Sequence, residues 1–379
     1  MKYYAGLDVS NKSTAVCVMN ERREVISEFS VKSYPQDIFE ALVKTKLNIE
    51  AIGLESGFIS HYLTLGLKER GLNVVCLDAR KVAGILAARV NKTDKNDARG
   101  ICEILQSGFL HGVHHKSEES MQLGTCLQAR DVIVRNKISL INSIRGLLRV
   151  YGVRIETSRK DFGTAVIKAV ETLAVPIQAA IIGLLTILKE SEKQLSVLEE
   201  RLAERAEELP EVELLMTVPG VGPITALAFL AELDTASRFK SSRSVGAFLG
   251  LTPRQYSSGE IQRQGSISKQ GSPMMRSLLV GAAMLILSRV KSWSKLKAWG
   301  LKILKKHGKK KAAVAVARKL AIILHRMLVM KAAFRPGEPK QKESSTKDKD
   351  TKPAKVAQEE TKRVLAPKRA ARSRACAVL

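Results

Sequence analysis

The chain has 379 residues, with 63 basic against 37 acidic for a formal charge of +26, and 45% of it is hydrophobic. That apolar content excludes a wholly disordered chain and supports globular domains with cores, while the positive excess points to a polyanionic partner. Apolar runs fall short of the ~18 residues that span a bilayer, and Met1-Lys-Tyr-Tyr-Ala leads into a strand pattern rather than a signal peptide, so nucleic acid is favoured over membrane. The five cysteines (Cys17, Cys76, Cys102, Cys126, Cys376) are odd in number and form no CxxC pair, which fits a reducing, cytoplasmic setting and argues against zinc.

In chain order, Tyr3-Tyr-Ala-Gly-Leu-Asp8-Val is a short apolar run that carries one acid, and the turn Ser10-Asn-Lys-Ser leads to a second run, Thr14 to Met19. Asn20-Glu-Arg-Arg turns the chain into Glu24 to Val31, so the opening predicts three adjacent antiparallel strands. There follow a helix from about Pro35 to Lys46, a strand at Ala51-Ile-Gly-Leu-Glu55, a helix from about His61 to Arg70 and a fifth strand at Asn73 to Leu77. A carboxylate within a buried strand is costly unless it is paired or binds a metal. Alone, each of Asp8 and Glu55 is also readable as an ordinary strand-end acid.

Lys92-Thr-Asp94-Lys-Asn-Asp97-Ala opens the next helix and puts two carboxylates on one face, their Cβ atoms about 5–6 Å apart. As single residues they read as an N-cap and a first-turn acid that suits the helix dipole. As a pair they repel, and a divalent cation or a shared proton relieves the repulsion.

This order of elements, with acids in the first strand, in the strand after the first helix and on the late helix, resembles the RNase H-like fold of the RuvC type. The quartet Asp8, Glu55, Asp94 and Asp97, with the phrase Lys92-Thr-Asp-Lys-Asn-Asp97-Ala, resembles the DEDD signature of the IS110 family of transposases. The resemblance implies an α/β domain over residues 1–115 built on a mixed five-stranded sheet. It further implies that the four acids hold Mg²⁺ or Mn²⁺, with Lys92 beside them against nucleic acid.

Residues 116–209 are expected to form a helical arm. From Ser117 to about Tyr151 apolar residues recur at threes and fours with Arg130, Arg135, Lys137 and Arg145 interleaved, either a solvated face or a surface against phosphate. Ala179 to Glu208 is a second long helix whose Leu195, Leu198 and Leu202 make a narrow seam, suited to a short coiled coil and self-association.

A mostly α-helical domain is expected over 210–334. Met216-Thr-Val-Pro-Gly220-Val-Gly222-Pro reads as a helix, a glycine turn and a new helix, with both glycines allowing φ > 0 and free amides at the helix start for a phosphate oxygen. It resembles a helix-hairpin-helix; the plainer reading is an αα-hairpin. Leu251 to Ser272 is polar, with Arg254, Arg263 and Lys269, and reads as a flexible serine-rich loop before a helix that carries Arg276. The segment resembles the C-terminal transposase domain of the IS110 family, in which a Ser-Gly supplies a nucleophile; that likeness implies Ser258, with Ser257 as the adjacent alternative. Residues 335–379, with 13 basic against 6 acidic, are expected to be a disordered cationic tail.

Taken together, the resemblance implies a DNA transposase or recombinase in which Ser258 attacks a DNA phosphate beside the metal site. The active site would be shared between subunits of a homodimer or homotetramer, with an element-encoded guide RNA as a further partner. Site-specific DNA invertases share both signatures. The alternative is a RuvC-like nuclease or junction resolvase that uses water, and a third reading is an architectural nucleic-acid binder with structural acids.

Overall fold

A computed structural model describes residues 1–87, 91–156, 161–258 and 261–337. Of the expected basic tail, only Arg335 to Gly337 lies within them. Strands β1 (Tyr3–Val9), β2 (Ser13–Asn20), β3 (Val25–Lys32), β4 (Ile49–Glu55) and β5 (Val74–Leu77) form one sheet in the order β3-β2-β1-β4-β5. β2 is antiparallel to both β1 and β3, whereas β4 runs parallel to β1 and β5 parallel to β4, so the sheet is mixed as expected.

Helices cover both faces. On one, α1 (Pro35–Lys44) and α2 (Ser60–Glu69) bring Ile38, Leu42, Leu63 and Leu67 onto Leu7, Val16, Ile52 and Leu54. A short helix absent from the sequence reading, α3 (Ala79–Leu86), follows β5 and is capped by the Asp78 carboxylate accepting from the amides of Arg80 and Lys81. Over the opposite face lies α4 (Asp94–Ser107), whose Ala98 and Cys102 pack on Cys17 and Met19. This is the RNase H-like, RuvC-type arrangement.

Beyond it, α5 (Glu118–Arg149) and α7 (Val175–Glu207) form a long antiparallel hairpin laced by Arg130–Glu199, Lys137–Glu192 at 2.9 Å and Arg205–Glu119. Of the four interleaved cations, Arg130 and Lys137 therefore face acids of the arm, and Arg135 pairs with Asp131 one turn back at 3.0 Å. The leucine seam is also filled from within the chain: Leu195 and Leu202 are buried, and Leu198 and Leu202 join the core of the next domain with Leu127. At the far end α6 (Phe162–Val170) closes the hairpin, its Phe162, Val166 and Val170 meeting Ile144, Leu148 and Leu185.

The last domain comprises α8 (Pro210–Met216), α9 (Pro223–Leu233), α10 (Ser242–Phe248), a β6–β7 hairpin (Pro253–Ser258 and Ile261–Ile267), α11 (Pro273–Ser288), α12 (Lys295–His307) and α13 (Lys309–Met330). α13 is the central helix, with Val316, Leu320 and Leu324 fully buried among the others. Where a flexible loop was expected, Gln255 pairs with Gln264 and Tyr256 with Arg263 in an antiparallel ribbon. Its Arg254 to Ser258 strand is exposed throughout, so no apolar alternation marked it as a strand.

The two domains are joined at Asp234, directly after α9. Its carboxylate accepts from the amide and hydroxyl of Ser117, at 3.1 and 2.6 Å, and pairs with His114 Nε2 at 2.6 Å. Lys116 reaches Glu232 at 2.9 Å beside it. The segment leaving the first domain is thus fastened to the second just where α5 begins.

Candidate active site

The register of β1 on β4 places Gly6 beside Gly53 and Leu7 beside Leu54. Side chains alternate along a strand, so Asp8 shares a face with Gly6, and Glu55 shares that face with Gly53. That is the face α4 covers. A Cβ on Gly6 would stand 2.1 Å from the Ala98 carbonyl oxygen, so only glycine lets the helix lie this close to β1. Thr93 caps the helix, its hydroxyl accepting from the Asn96 amide at 3.2 Å, which leaves Asp94 as the first helical residue rather than the cap. Asp94 and Asp97 therefore sit on the turn of α4 that overhangs the carboxyl ends of β1 and β4.

The electrostatics register this meeting. Burial, and then the neighbouring charges of Asp94, Asp97 and Glu55, push Asp8 from 3.8 to about 6. Glu55 is raised by burial and by Asp97, and Lys92 moderates both. Glu55, Ala83, Leu86, Asn91, Lys92 and Asp97 line a cavity of about 290 Å³. Carboxylate oxygens are the donors that a hard divalent cation takes, so the donor set fits Mg²⁺ or Mn²⁺. The carboxylates are not closed on one point: among the described residues no three His, Cys, Asp or Glu side chains form a ready ligating group. Repulsion between like charges favours such an open arrangement. Behind the site, Arg99 of α4 donates to both carboxylate oxygens of Glu28 on β3, at 2.5 and 2.8 Å, and holds the helix to the sheet.

Ser258 ends β6 on the exposed ribbon, in a different domain from the acids. Its hydroxyl has no hydrogen-bond partner among the described residues, whereas Ser257 Oγ accepts from Gln255 Nε2 at 3.1 Å. Gly259, the other half of the Ser-Gly pair, lies outside the described residues. Arg254, Arg263 and Lys269 are exposed along the ribbon. Arg276 turns inward instead, donating from Nη1 to the carbonyls of Leu249, Gln270 and Gly271 at 3.4, 2.7 and 3.0 Å, and so pins the ribbon's base.

In the α8–α9 turn Gly220 has φ +93° as expected, but Gly222 is extended at φ −103° and serves as the N-cap of α9. Proline at the first position of α9 has a fixed φ suited to starting the helix, so the second glycine needs no left-handed backbone. Sequence reasoning missed α3, Glu28, Arg99 and the Asp234 junction. Only Asp78, a good capping residue before a helical run, carried a local signal.

Two family models match the chain. A transposase model of the DEDD IS110 type covers residues 5–153, and one described as Transposase IS116/IS110/IS902 family covers 212–298. The transposase for insertion sequence element IS1111A of Coxiella burnetii is 34% identical over 65% of this chain and 69% of its own length. A Pseudomonas aeruginosa protein named "Probable family 20 transposase" is 31% identical over 88% of this chain and 98% of its own. Among solved structures, T. thermophilus RuvC in complex with Holliday junction substrate aligns over 30% of this chain and all of that one, at 16% identity and a TM-score of 0.23, a likeness too slight to bear on the site. With both family domains matched in sequence and a relative 34% identical over 69% of its own length, the chain belongs to the IS110 family of transposases.

Proposed function

We propose that this DNA transposase breaks and rejoins strands through a covalent protein–DNA intermediate, with Ser258 Oγ as the nucleophile and Asp8, Glu55, Asp94 and Asp97 holding Mg²⁺ or Mn²⁺. In the first step the Ser258 Oγ–P bond forms, the P–O3′ bond breaks, the serine proton passes to solvent and the departing 3′ oxygen is protonated. The energy of the phosphoester is kept, and attack by a new 3′-OH rejoins the strand and frees the serine. A cation bound by the four acids supplies neutralisation of the phosphate's non-bridging oxygens. What supports the reading is that Asp8 of β1 is half-buried and feels the charges of Asp94, Asp97 and Glu55, burial first and then these charges raising its pKa, in a chain of this family.

On this reading residues 1–115 are the metal-holding domain, 116–209 the arm, 210–334 the serine-bearing domain and 335–379 a basic tail adding nonspecific affinity. Lys92, Arg254, Arg263 and Lys269 lie against phosphates, the Gly220–Gly222 turn offers backbone amides to DNA, and Arg276 positions the ribbon. Because Ser258 sits at the exposed end of a ribbon in a separate domain, the site is completed between subunits of a homodimer or homotetramer. A guide RNA is the family's further implied partner, with a charge of +26 suited to it as to DNA, and the setting is the cytoplasm at the nucleoid.

Purified protein incubated with DNA carrying the element's ends, with and without co-purified RNA, tests the reading. A covalent adduct that disappears in Ser258→Ala and in Asp8→Asn supports it. Undiminished cleavage by Ser258→Ala, with no adduct in the wild type, would replace it with a hydrolytic RuvC-like nuclease.

A further inference from the structure

The β6–β7 ribbon has two faces of different chemistry. Side chains alternate along a strand, so Arg254, Tyr256 and Ser258 share one face of β6. Gln255 and Ser257 share the other, where Gln255 Nε2 donates to Ser257 Oγ at 3.1 Å. Across the ribbon Tyr256 is paired with Arg263 and Gln255 with Gln264, so Arg263 joins the face of Ser258 and Gln264 that of Ser257. A Cβ on Gly265 would stand 3.5 Å from the Tyr256 ring and 3.8 Å from Arg254 Cβ, so both side chains lie over that glycine on the Ser258 face. The guanidiniums thus accompany Ser258, and the amides accompany Ser257.

Ser258 is paired with Ile261, which makes Arg263 its diagonal neighbour, at a separation of about 7–8 Å that a long side chain spans. Neither described strand of the ribbon holds an acid, and Arg263 is exposed and forms no ion pair among the described residues. The ribbon's base is tightly set. Gly250 takes φ +67° where a Cβ would stand 2.0 Å from the Gln270 carbonyl oxygen, and Arg276 ties the same turn. A phosphate attacked by a hydroxyl gathers negative charge on its non-bridging oxygens, and a guanidinium meets such oxygens with paired N–H donors.

On the reading of Ser258 as the nucleophile, we infer that Arg263 is a catalytic residue that binds the non-bridging oxygens of the scissile phosphate, with Tyr256 across from it as its positioning residue. Arg263 keeps its protons throughout. The Ser258 Oγ–P bond forms, the P–O3′ bond breaks and the serine proton goes to solvent, while the guanidinium neutralises the charge gathered between those two events.

The test measures the single-turnover rate of covalent adduct formation by the full-length protein, with divalent metal and saturating DNA carrying the element's ends. Arg263→Ala should slow the step by about 10²-fold or more, the usual loss when one donor to a developing oxyanion is removed. Arg263→Lys should fall between, and Gln264→Ala, on the opposite face, should leave the rate unchanged. Tyr256→Ala should slow the step less than Arg263→Ala, and Tyr256→Phe, which keeps the ring, should restore it. The decisive substrate carries a methylphosphonate at the scissile position, which removes the charge that Arg263 neutralises. On it the gap between wild type and Arg263→Ala should shrink to a few fold or less. An adduct in the wild type with an undiminished rate in Arg263→Ala would overturn this inference alone, as would a gap equally wide on the neutral substrate, which would make Arg263 structural. No adduct in the wild type would overturn the serine reading and this inference with it.

Discussion

Gly6 of β1 and Ala98 of α4 meet so closely that a Cβ on residue 6 would stand 2.1 Å from the Ala98 carbonyl oxygen and 2.5 Å from the Cys102 amide nitrogen. Both obstacles are backbone, so no side-chain rotation relieves them. Gly6→Ala should therefore displace α4 and cost about 1–3 kcal/mol, the usual penalty for overpacking a filled core, with Gly6→Val worse. Chemical denaturation measures the loss. Because Asp94 and Asp97 ride on that helix, metal-dependent cleavage should fall further than stability alone explains.

The raised pKa of Asp8 makes a signed prediction. The folded protein holds this proton up to about pH 6 and the unfolded chain only to about 3.8, so protonation favours the folded state. Without divalent metal, this contribution to stability is full below 3.8 and is lost as pH rises through about 6. A thermal melt in chelator should accordingly rise in midpoint as pH falls through about 6, and Asp8→Asn should flatten that dependence. Metal runs the other way, since it requires the carboxylate: affinity for Mn²⁺ should weaken as pH falls through the same range, followed by calorimetry.

Asp234 is a strained residue with a buried role. Its backbone takes φ +59°, a region L side chains rarely adopt, and its side chain is only 7% exposed. Burial opposes its charge, but hydrogen bonds from Ser117, Ser120 and His114 outweigh it and hold the carboxyl well below the usual range. Asp234→Ala should cost about 1 kcal/mol or more through loss of the hydrogen bonds to Ser117 and His114, and should split a single unfolding transition into two as the domains uncouple. Asp234→Gly relieves the backbone yet still loses the clasp, so it should uncouple the domains with a smaller loss of stability. A single sharp transition in both variants would show that the junction does not couple them.

The sheet was legible because its signals are local. Alternating apolar runs broken by Ser10-Asn-Lys-Ser and Asn20-Glu-Arg-Arg mark β1 to β3 to within a residue or two. The acids were legible as candidates, but their meeting depends on Gly6 and Gly53 facing α4, which follows only from the β1–β4 register. Elements of eight or nine residues such as α3 and α6 hold too few turns for a period to emerge. The ribbon carrying Ser258 buries no face and so leaves no alternation. Arg130 and Lys137 showed their spacing but not their partners, which come from the facing helix α7, and Asp234 meets His114 from 120 residues away.

The most direct measurement is mass spectrometry of the protein–DNA adduct after the DNA is trimmed to one nucleotide. A 5′-linked nucleotide on Ser258 is expected, formed only with divalent metal and absent from Asp8→Asn and Asp97→Asn. DNA cleaved at full rate with no nucleotide on the protein, or with the nucleotide on another residue, would contradict it.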